Sequence, residues 1–180
     1  LVGGALTPLA PRSVPRAGLA ATMATLAILP DLDVVAFSLG IPYVHWLGHR
    51  GVSHSLPFAL ALAAVVALGA RRRWHVPVRD AWILFGLYTV ATASHGVLDA
   101  LTDGGLGVAF FAPFDDARHF LPLRPIHVSP IGIRSFFEGP ALAVLESEIV
   151  VVWLPVLAVL AALRLGRVAS GRATRERARR

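Results

Sequence analysis

Three short segments of the sequence contain side chains that bind divalent cations in proteins. An Asp-Leu-Asp triplet follows a proline at the end of an apolar run, a His-Arg-Gly-Val-Ser-His-Ser segment comes next, and a His and an Asp then lie four residues apart in the longest apolar run. Because the chain has no cysteine, imidazole nitrogens and carboxylate oxygens must supply any metal ligands. The candidate metal ligands are Asp31, Asp33, His49, His54, His95 and Asp99.

The two histidines of the second segment, His49 and His54, are five residues apart. This spacing does not place two side chains on one face of a helix, so we expect His49 in a loop. Gly51 would permit the bend, and Ser53 would cap the following helix. Two histidines that meet at a helix end are typical metal ligands, but they are equally typical of a polar loop at a membrane interface.

The third segment places His95 and Asp99 on one face of a predicted membrane helix. An ionisable carboxylate inside a membrane costs about 2.5 kcal/mol or more, so Asp99 requires a partner. An ion pair with His95 is one solution, just as Asp31 and Asp33 alone are typical of a solvated helix end. A bound cation would also neutralise Asp99, and it would explain why ligands from all three segments occur at the same ends of the helices.

The composition is that of a membrane protein. Apolar residues make up 56% of the 180 residues and charged residues 16%, whereas soluble domains have about 45–50% and about 25%. The run 81–101 is long enough to cross a hydrocarbon core of roughly 30 Å. We predict an all-α fold, a polytopic membrane helical bundle with a metal-site face and a long irregular loop, in a single domain over 1–165. The other predicted helices are 1–10 and 17–29, which form a hairpin, 56–70, and 149–163 with an extension back to 141.

The positive charge is concentrated at the C-terminus. All 17 basic residues are arginine, and seven of them lie in 164–180. This pattern is typical of a chain that leaves a bilayer at its cytoplasmic face, so nucleic acid is not an expected partner. We predict that 166–180 is a disordered cytoplasmic tail that contacts anionic lipid. If Arg12, Arg16 and the arginines at 71–73 are also cytoplasmic, the candidate ligands lie at the non-cytoplasmic face.

The three segments occur in the order Pro-Asp-x-Asp, His-Arg-Gly-x-x-His-Ser and Ser-His-x-x-x-Asp. Together with Pro113-Phe114-Asp115 and the segment 124–132, they resemble the YdjM-like membrane-bound metal-dependent hydrolases of bacteria over about residues 1–155. The resemblance implies a multi-pass hydrolase of the bacterial inner membrane, of a kind likened to zinc-dependent phospholipase C. In such proteins a Thr-His pair precedes the first apolar run, so a further ligand histidine is expected before Leu1.

These residues predict hydrolysis of a phosphoester or lipid-like substrate with the help of zinc or manganese. Six candidate ligands exceed the four of a tetrahedral zinc site, which favours a two-metal centre. Asp33 is the predicted general base if it is not a ligand, and Arg50 is predicted either to contact a substrate anion or to anchor the loop at the membrane interface. The long loop 104–140 contributes supporting candidates, namely His119, His127 and Glu138.

Two other classes of protein share some of these features. A phosphatidic-acid-type phosphatase also carries a His-x-x-x-Asp element, but the Pro-Ser-Gly-His element that precedes it is absent from this sequence. A membrane protein that binds or transports a cation without catalysis would use the same ligands. Only a measurement of turnover distinguishes that alternative from a hydrolase.

Overall fold

The computed structural model describes residues 5–11, 13–163 and 165. These residues are mostly helical and contain no strand beyond two isolated β-bridges. The predicted tail 166–180 lies outside the described residues, as do Arg12, Arg164 and the first four residues of the predicted helix 1–10. The described part of that predicted helix is α-helical at Ala5 and Leu6 and continues as a short 3-10 helix, Thr7–Leu9.

Six α-helices have both of their ends within the described residues. They are α1 (Arg16–Ile28), α2 (Val35–Ser38), α3 (Leu56–Trp74), α4 (Val78–Ala100), α5 (Ile133–Glu138) and α6 (Ala141–Glu148). A 3-10 helix, Leu29–Val34, joins α1 to α2, and a π-helical turn, Ile149–Trp153, connects α6 to a further α-helical segment over residues 154–163.

Three helical stretches are long and apolar enough to cross a membrane. They are Arg16–Ser38, Val78–Ala100 and Ala141–Leu163, and each has 23 residues. At the rise of an α-helix such a stretch is about 35 Å long, which exceeds the thickness of a hydrocarbon core. α3 ends in three arginines and is less apolar there, but it packs along α4 as the first arm of a helical hairpin. The predicted all-α membrane fold is confirmed.

The sequence suggests that the first long helix ends at Pro30, but in the structure the helical path continues past this residue. The 3-10 helix Leu29–Val34 carries the helical path onward, and Pro30 lies at its start, where a missing backbone N–H is tolerated. Asp31 and Asp33 are therefore part of a helix rather than of a loop. Because a 3-10 helix has three residues per turn, side chains two positions apart point in different directions, and the two carboxylates approach different nitrogens of the His54 ring.

Small residues let α3 and α4 pack closely. Ala59, Ala63 and Ala67 are buried at every fourth position of α3 and form one stripe on this helix. α4 also packs against α1, so the three helices share one apolar core. This packing brings the start of α3 and the ends of α1 and α4 to the same end of the bundle. The larger buried side chains of the core are Leu19, Met23, Leu26, Leu84, Leu87 and Tyr88.

The last apolar stretch stands apart from this core. No Cα atom of residues 141–153 lies within 8 Å of a Cα atom of α1, α3 or α4. The loop that follows α4 connects the two parts, and the backbone N–H of His127 donates a hydrogen bond of 3.0 Å to Ser147 Oγ. As predicted, this loop is mostly irregular, although it contains α5 and the two isolated bridges.

Candidate metal centre

Four side chains from three helical segments converge at one end of the bundle. Asp31, His54, His95 and Asp99 each offer one ligand atom, and these atoms all lie within 4.8 Å of one another. The shortest separations are 3.1 Å, between His54 Nε2 and Asp99 Oδ2 and between His95 Nε2 and Asp31 Oδ1. The structure thus brings four of the six candidate ligands around a common point.

The two histidines of this group are held by their other ring nitrogens. His95 Nδ1 donates a hydrogen bond of 2.8 Å to the carbonyl oxygen of Ala27 in α1. His54 Nδ1 lies 3.1 Å from Asp33 Oδ2 and 2.9 Å from Ser53 Oγ. These partners favour a proton on Nδ1 of both rings and leave the Nε2 lone pairs directed towards the cluster. Histidine ligands of metals are commonly oriented in this way.

Three atoms at the centre of the cluster are buried without a hydrogen-bond partner among the described residues. They are His54 Nε2, His95 Nε2 and Asp99 Oδ2. The 3.1 Å separation of His54 Nε2 and Asp99 Oδ2 lacks the geometry of a hydrogen bond. Buried polar atoms without partners are costly, and a cation between them would satisfy all three. Two imidazoles and two carboxylates are a donor set that suits zinc.

The charges around the cluster also suit a divalent cation. The carboxylates of Asp31, Asp33 and Asp99 and the guanidinium of Arg50 leave two negative charges when the histidines are neutral, and one divalent cation would balance them. Burial by itself would lower the pKa of the His54 imidazole, but the three aspartates raise it to about 10. Without a bound cation the carboxylates therefore favour a protonated His54, and a divalent cation would supply the positive charge in place of that proton.

Asp33 lies beside this cluster, and both of its carboxylate oxygens accept hydrogen bonds. Oδ1 lies 2.6 Å from His49 Nδ1. Oδ2 accepts bonds from Ser53 Oγ at 2.6 Å and from the backbone N–H of Arg50 at 3.1 Å, in addition to its contact with His54. Asp33, His49 and His54 form a second group that could hold a cation. The polar contacts described above already connect the members of this group to one another.

The hydroxyl groups near the second segment have different roles from those predicted. Ser53 does not cap α3, because it donates its hydrogen bond to Asp33. Ser55 is the N-cap instead, and its Oγ accepts a hydrogen bond from the backbone N–H of Phe58. Val52–His54 forms a separate 3-10 turn before the helix. This extra turn is what directs the His54 side chain towards α4.

Arg50 connects the carboxylates of two helical segments. Its backbone is left-handed, with φ of 60°, and its N–H reaches Asp33. Its guanidinium donates to Asp99 Oδ1 at 3.1 Å, to Thr102 Oγ1 at 3.1 Å and to the carbonyl oxygen of Gly104 at 3.0 Å. Because only 4% of Arg50 is exposed, its predicted role as an interfacial anchor is wrong. Contact with a substrate anion stays a prediction, since Arg50 lines the adjoining cavity.

Glycine permits the close approach of the His54 turn to α4. A Cβ atom on Gly96 would lie 2.7 Å from the carbonyl oxygen of His54. Only a residue without a side chain therefore fits there without displacing the turn. Gly51, as predicted, is equally restricted, because a Cβ atom would overlap the carbonyl oxygen of Trp46.

The supporting candidates from the long loop are separated by the fold. His127 lines the cavity beside the cluster, and its Nδ1 lies 2.7 Å from Asp103 Oδ2. A backbone hydrogen bond from Val128 and the contact with His127 lower the pKa of Asp103. His119 instead pairs through its backbone with Val108. Glu138 forms an exposed ion pair with Arg134 and does not line the cavity.

The structure also identifies residues that the sequence did not single out. Arg118 donates hydrogen bonds of 2.8 Å to the carbonyl oxygen of Tyr43 and 3.1 Å to that of His49, and burial lowers its pKa. It thereby fixes the loop that carries His49. Glu148 and Trp153 line the cavity from the last apolar stretch. An acidic residue within that stretch was a signal for Glu148, whereas no spacing pattern marks Arg118.

Comparisons with known proteins agree with a membrane location. Residues 1–173 match the family model described as YdjM inner membrane protein. The chain is 37% identical to inner membrane protein YbcI of Escherichia coli (strain K12) over 130 residues, which are 72% of this chain and 73% of that protein. No solved structure matches the chain. With three apolar helices long enough to cross a bilayer and a family match over nearly its whole length, the chain belongs to the YdjM inner membrane protein family.

Proposed function

We propose that this protein is a metal-dependent hydrolase of the inner membrane that acts on a phosphoester or lipid-like substrate. The observation that carries the proposal is the convergence of three buried, unpartnered ligand atoms, on His54, His95 and Asp99, beside the carboxylate of Asp31. A single ion pair would satisfy Asp99 without the other residues, whereas a cation uses all four. Zinc is the metal that best fits this donor set, and manganese is the alternative.

We assign the four ligands to one metal site. Asp33 is left out of the ligand set because its oxygens already accept three hydrogen bonds, one of which orients His49, and Oδ2 also lies 3.1 Å from His54 Nδ1. Its role is to hold these rings, which is the usual function of a carboxylate next to a ligand histidine. This assignment replaces the expected two-metal centre with one metal and a hydrogen-bonded Asp33–His49 pair beside it.

His49 is the proton acceptor that the geometry favours. Its Nδ1 donates to Asp33, its other ring nitrogen has no hydrogen-bond partner among the described residues, and the residue lines the cavity. In hydrolysis His49 would take a proton from water as the water oxygen attacks phosphorus, and the P–O bond to the leaving group would break. The protonated His49 would then return the proton to the leaving oxygen.

A divalent cation at this site would acidify water and stabilise negative charge on the phosphoryl oxygens. Arg50 holds one oxygen of Asp99, so that the other oxygen faces the two histidines. Asp31 is the most exposed of the four ligands, with 49% of its side chain exposed, so the attacking water would enter on its side.

Metal analysis and an activity panel test this proposal with matched aspartate variants. Purified full-length protein should contain zinc or manganese and hydrolyse bis(4-nitrophenyl) phosphate or a phospholipid, and Asp99→Asn should lose both properties. Asp103→Asn is the control, because Asp103 pairs with His127 outside the cluster. Retained hydrolysis in metal-free Asp99→Asn protein would contradict the proposal. Bound metal without turnover on any substrate would favour the cation-binding alternative.

We also propose that the metal centre faces the non-cytoplasmic side of the membrane. Arg16 and the arginines at 71–73 lie at the opposite ends of α1 and α3 from the cluster, in agreement with the positive-inside rule. Because the chain lacks cysteine, single cysteines report orientation cleanly. Asp116→Cys should react with an impermeant thiol reagent from the non-cytoplasmic side, and Arg72→Cys should not. The reverse pattern would refute this orientation.

A further inference from the structure

A large cavity separates the last apolar stretch from the three-helix core. Its volume is about 1020 Å³, at the upper end of the range of about 300–1,000 Å³ that is usual for ligand sites. α1 and α4 form one wall, and residues 148–153 form part of the opposite wall. Both walls belong to stretches long and apolar enough to cross the membrane, and where they do so the gap between them opens towards bilayer lipid.

The end of the cavity at the metal centre is its polar end, and most of the remaining lining is apolar, apart from residues such as His127, Ser129 and Glu148. The ligands Asp31, His95 and Asp99 line the polar end, together with Arg50 and His49. The apolar sides are formed by residues from α1, α4, the long loop and the π-helical turn, and include Ile28, Val34, Leu98, Ile131, Val152 and Trp153. A ligand that fills this space therefore needs a charged or polar group joined to a hydrocarbon part.

The last apolar stretch borders the cavity over residues 148–153, which is about 7–8 Å of helix. Val152 and Trp153 supply its apolar side chains there. The turn that carries them is π-helical, and such turns occur frequently at functional sites. A water-soluble phosphoester has no hydrocarbon part to occupy this region, whereas an acyl chain that lies along the helix does.

We propose that the cavity binds a membrane lipid with a phosphoester headgroup, which reaches the metal centre sideways from the bilayer between α1 and the last apolar stretch. The headgroup lies at the polar end, and an acyl chain runs past Ile28, Val152 and Trp153. The part of this inference that concerns cleavage of the headgroup bond rests on the proposed function. Lipid binding is a separate property and has its own measurement.

Variants on the two walls test the binding site. Ile28→Trp fills the cavity from the α1 side, where 64% of Ile28 is exposed and a larger side chain is tolerated. Trp153→Ala removes part of the opposite wall. Val65→Trp is the matched control, because Val65 is 69% exposed on α3 and does not line the cavity. All three variants leave the proposed metal ligands and His49 unchanged.

The first measurement is the occupancy of dioleoyl phosphatidylglycerol on the purified protein. Native mass spectrometry in detergent detects the bound lipid. The wild type and Val65→Trp should retain a bound lipid, and Ile28→Trp and Trp153→Ala should bind it roughly tenfold more weakly, which corresponds to about 1.4 kcal/mol. Metal content should be the same in all four proteins. Equal lipid occupancy in all four would overturn the inference.

The second measurement compares two substrates and separates this inference from the proposed function. One substrate is dioleoyl phosphatidylglycerol in mixed vesicles with dioleoyl phosphatidylethanolamine, and the other is bis(4-nitrophenyl) phosphate. The ratio of the first hydrolysis rate to the second should fall about tenfold in both wall variants. An unchanged ratio would overturn the lipid site while leaving the hydrolase intact. If the wall variants lose the bound lipid and the wild type hydrolyses neither substrate, the proposed hydrolase function is refuted and the lipid site is supported.

Discussion

Gly96 offers a way to disturb the metal centre without changing a ligand. The substitution Gly96→Ala places a Cβ atom 2.7 Å from the carbonyl oxygen of His54, whereas ordinary contacts begin at 3.4 Å and contacts under 3.0 Å essentially never occur. The His54 turn must therefore move by about 0.3–0.7 Å, the difference between these distances. Metal–ligand distances in well-formed sites vary by only about 0.2 Å, so this shift is large enough to weaken the site.

The expected effect is a loss of metal affinity of roughly 10–100-fold, as is usual when a group that positions a ligand is changed. Helix propensity acts in the opposite direction, because replacing glycine by alanine inside a helix stabilises it by up to about 1 kcal/mol. Zinc affinity measured by competition with a chromogenic chelator separates the two effects, since only the displacement of His54 alters metal binding.

Gly86→Ala is the matched control for this experiment. Gly86 lies in α4 as well, and a Cβ atom there would meet no atom within 4 Å. The control should therefore gain helix stability and keep the zinc affinity of the wild type. If Gly96→Ala also binds zinc as tightly as the wild type, then His54 is not a ligand or its turn does not approach α4 this closely, and the assignment fails.

Three further predictions concern groups around the site. Arg50→Lys keeps the charge but loses the planar fork, so zinc affinity should fall roughly tenfold in a chelator competition. Arg118→Ala removes hydrogen bonds to five backbone carbonyls and should lower the free energy of unfolding by about 1–3 kcal/mol, measured by denaturation in detergent. The pKa of Asp103 is lowered in the folded protein, so the stabilisation it contributes is present above the ordinary value of 3.8. It should be lost as the pH falls through the lowered pKa, and the NMR signal of the Val128 amide should shift only there.

The sequence was sufficient to predict the long apolar helices and the pair on α4. Apolar runs of spanning length identify the membrane helices, and the four-residue spacing of His95 and Asp99 places both on one face. The different environments of Asp31 and Asp33 could not be predicted in the same way. They depend on the continuation of the chain past Pro30 as a 3-10 helix, and proline there also suits a simple helix end.

Other parts of the site depend on backbone atoms, which leave no pattern in a sequence. The carbonyl oxygen of Ala27 orients His95, and the carbonyl oxygens of Tyr43 and His49 receive Arg118. Any residue type provides a carbonyl group, so no spacing rule reveals these contacts. The sequence also does not decide whether Ser53 or Ser55 caps α3, because both are suitable residues. The 3-10 turn before α3 places Ser55 in that position.

The proposed metal and the packing of the helices depend on each other. Asp31, His54 and Asp99 belong to three separate helical segments, so the cluster forms only when α1, α3 and α4 meet at one end. Conversely, bringing several carboxylates together at that end is unfavourable unless their charge is balanced, and Arg50 balances only one of them. A divalent cation would remove the remaining charge and join the three segments. The residues that would perform the chemistry are therefore also those that would hold this end of the bundle together.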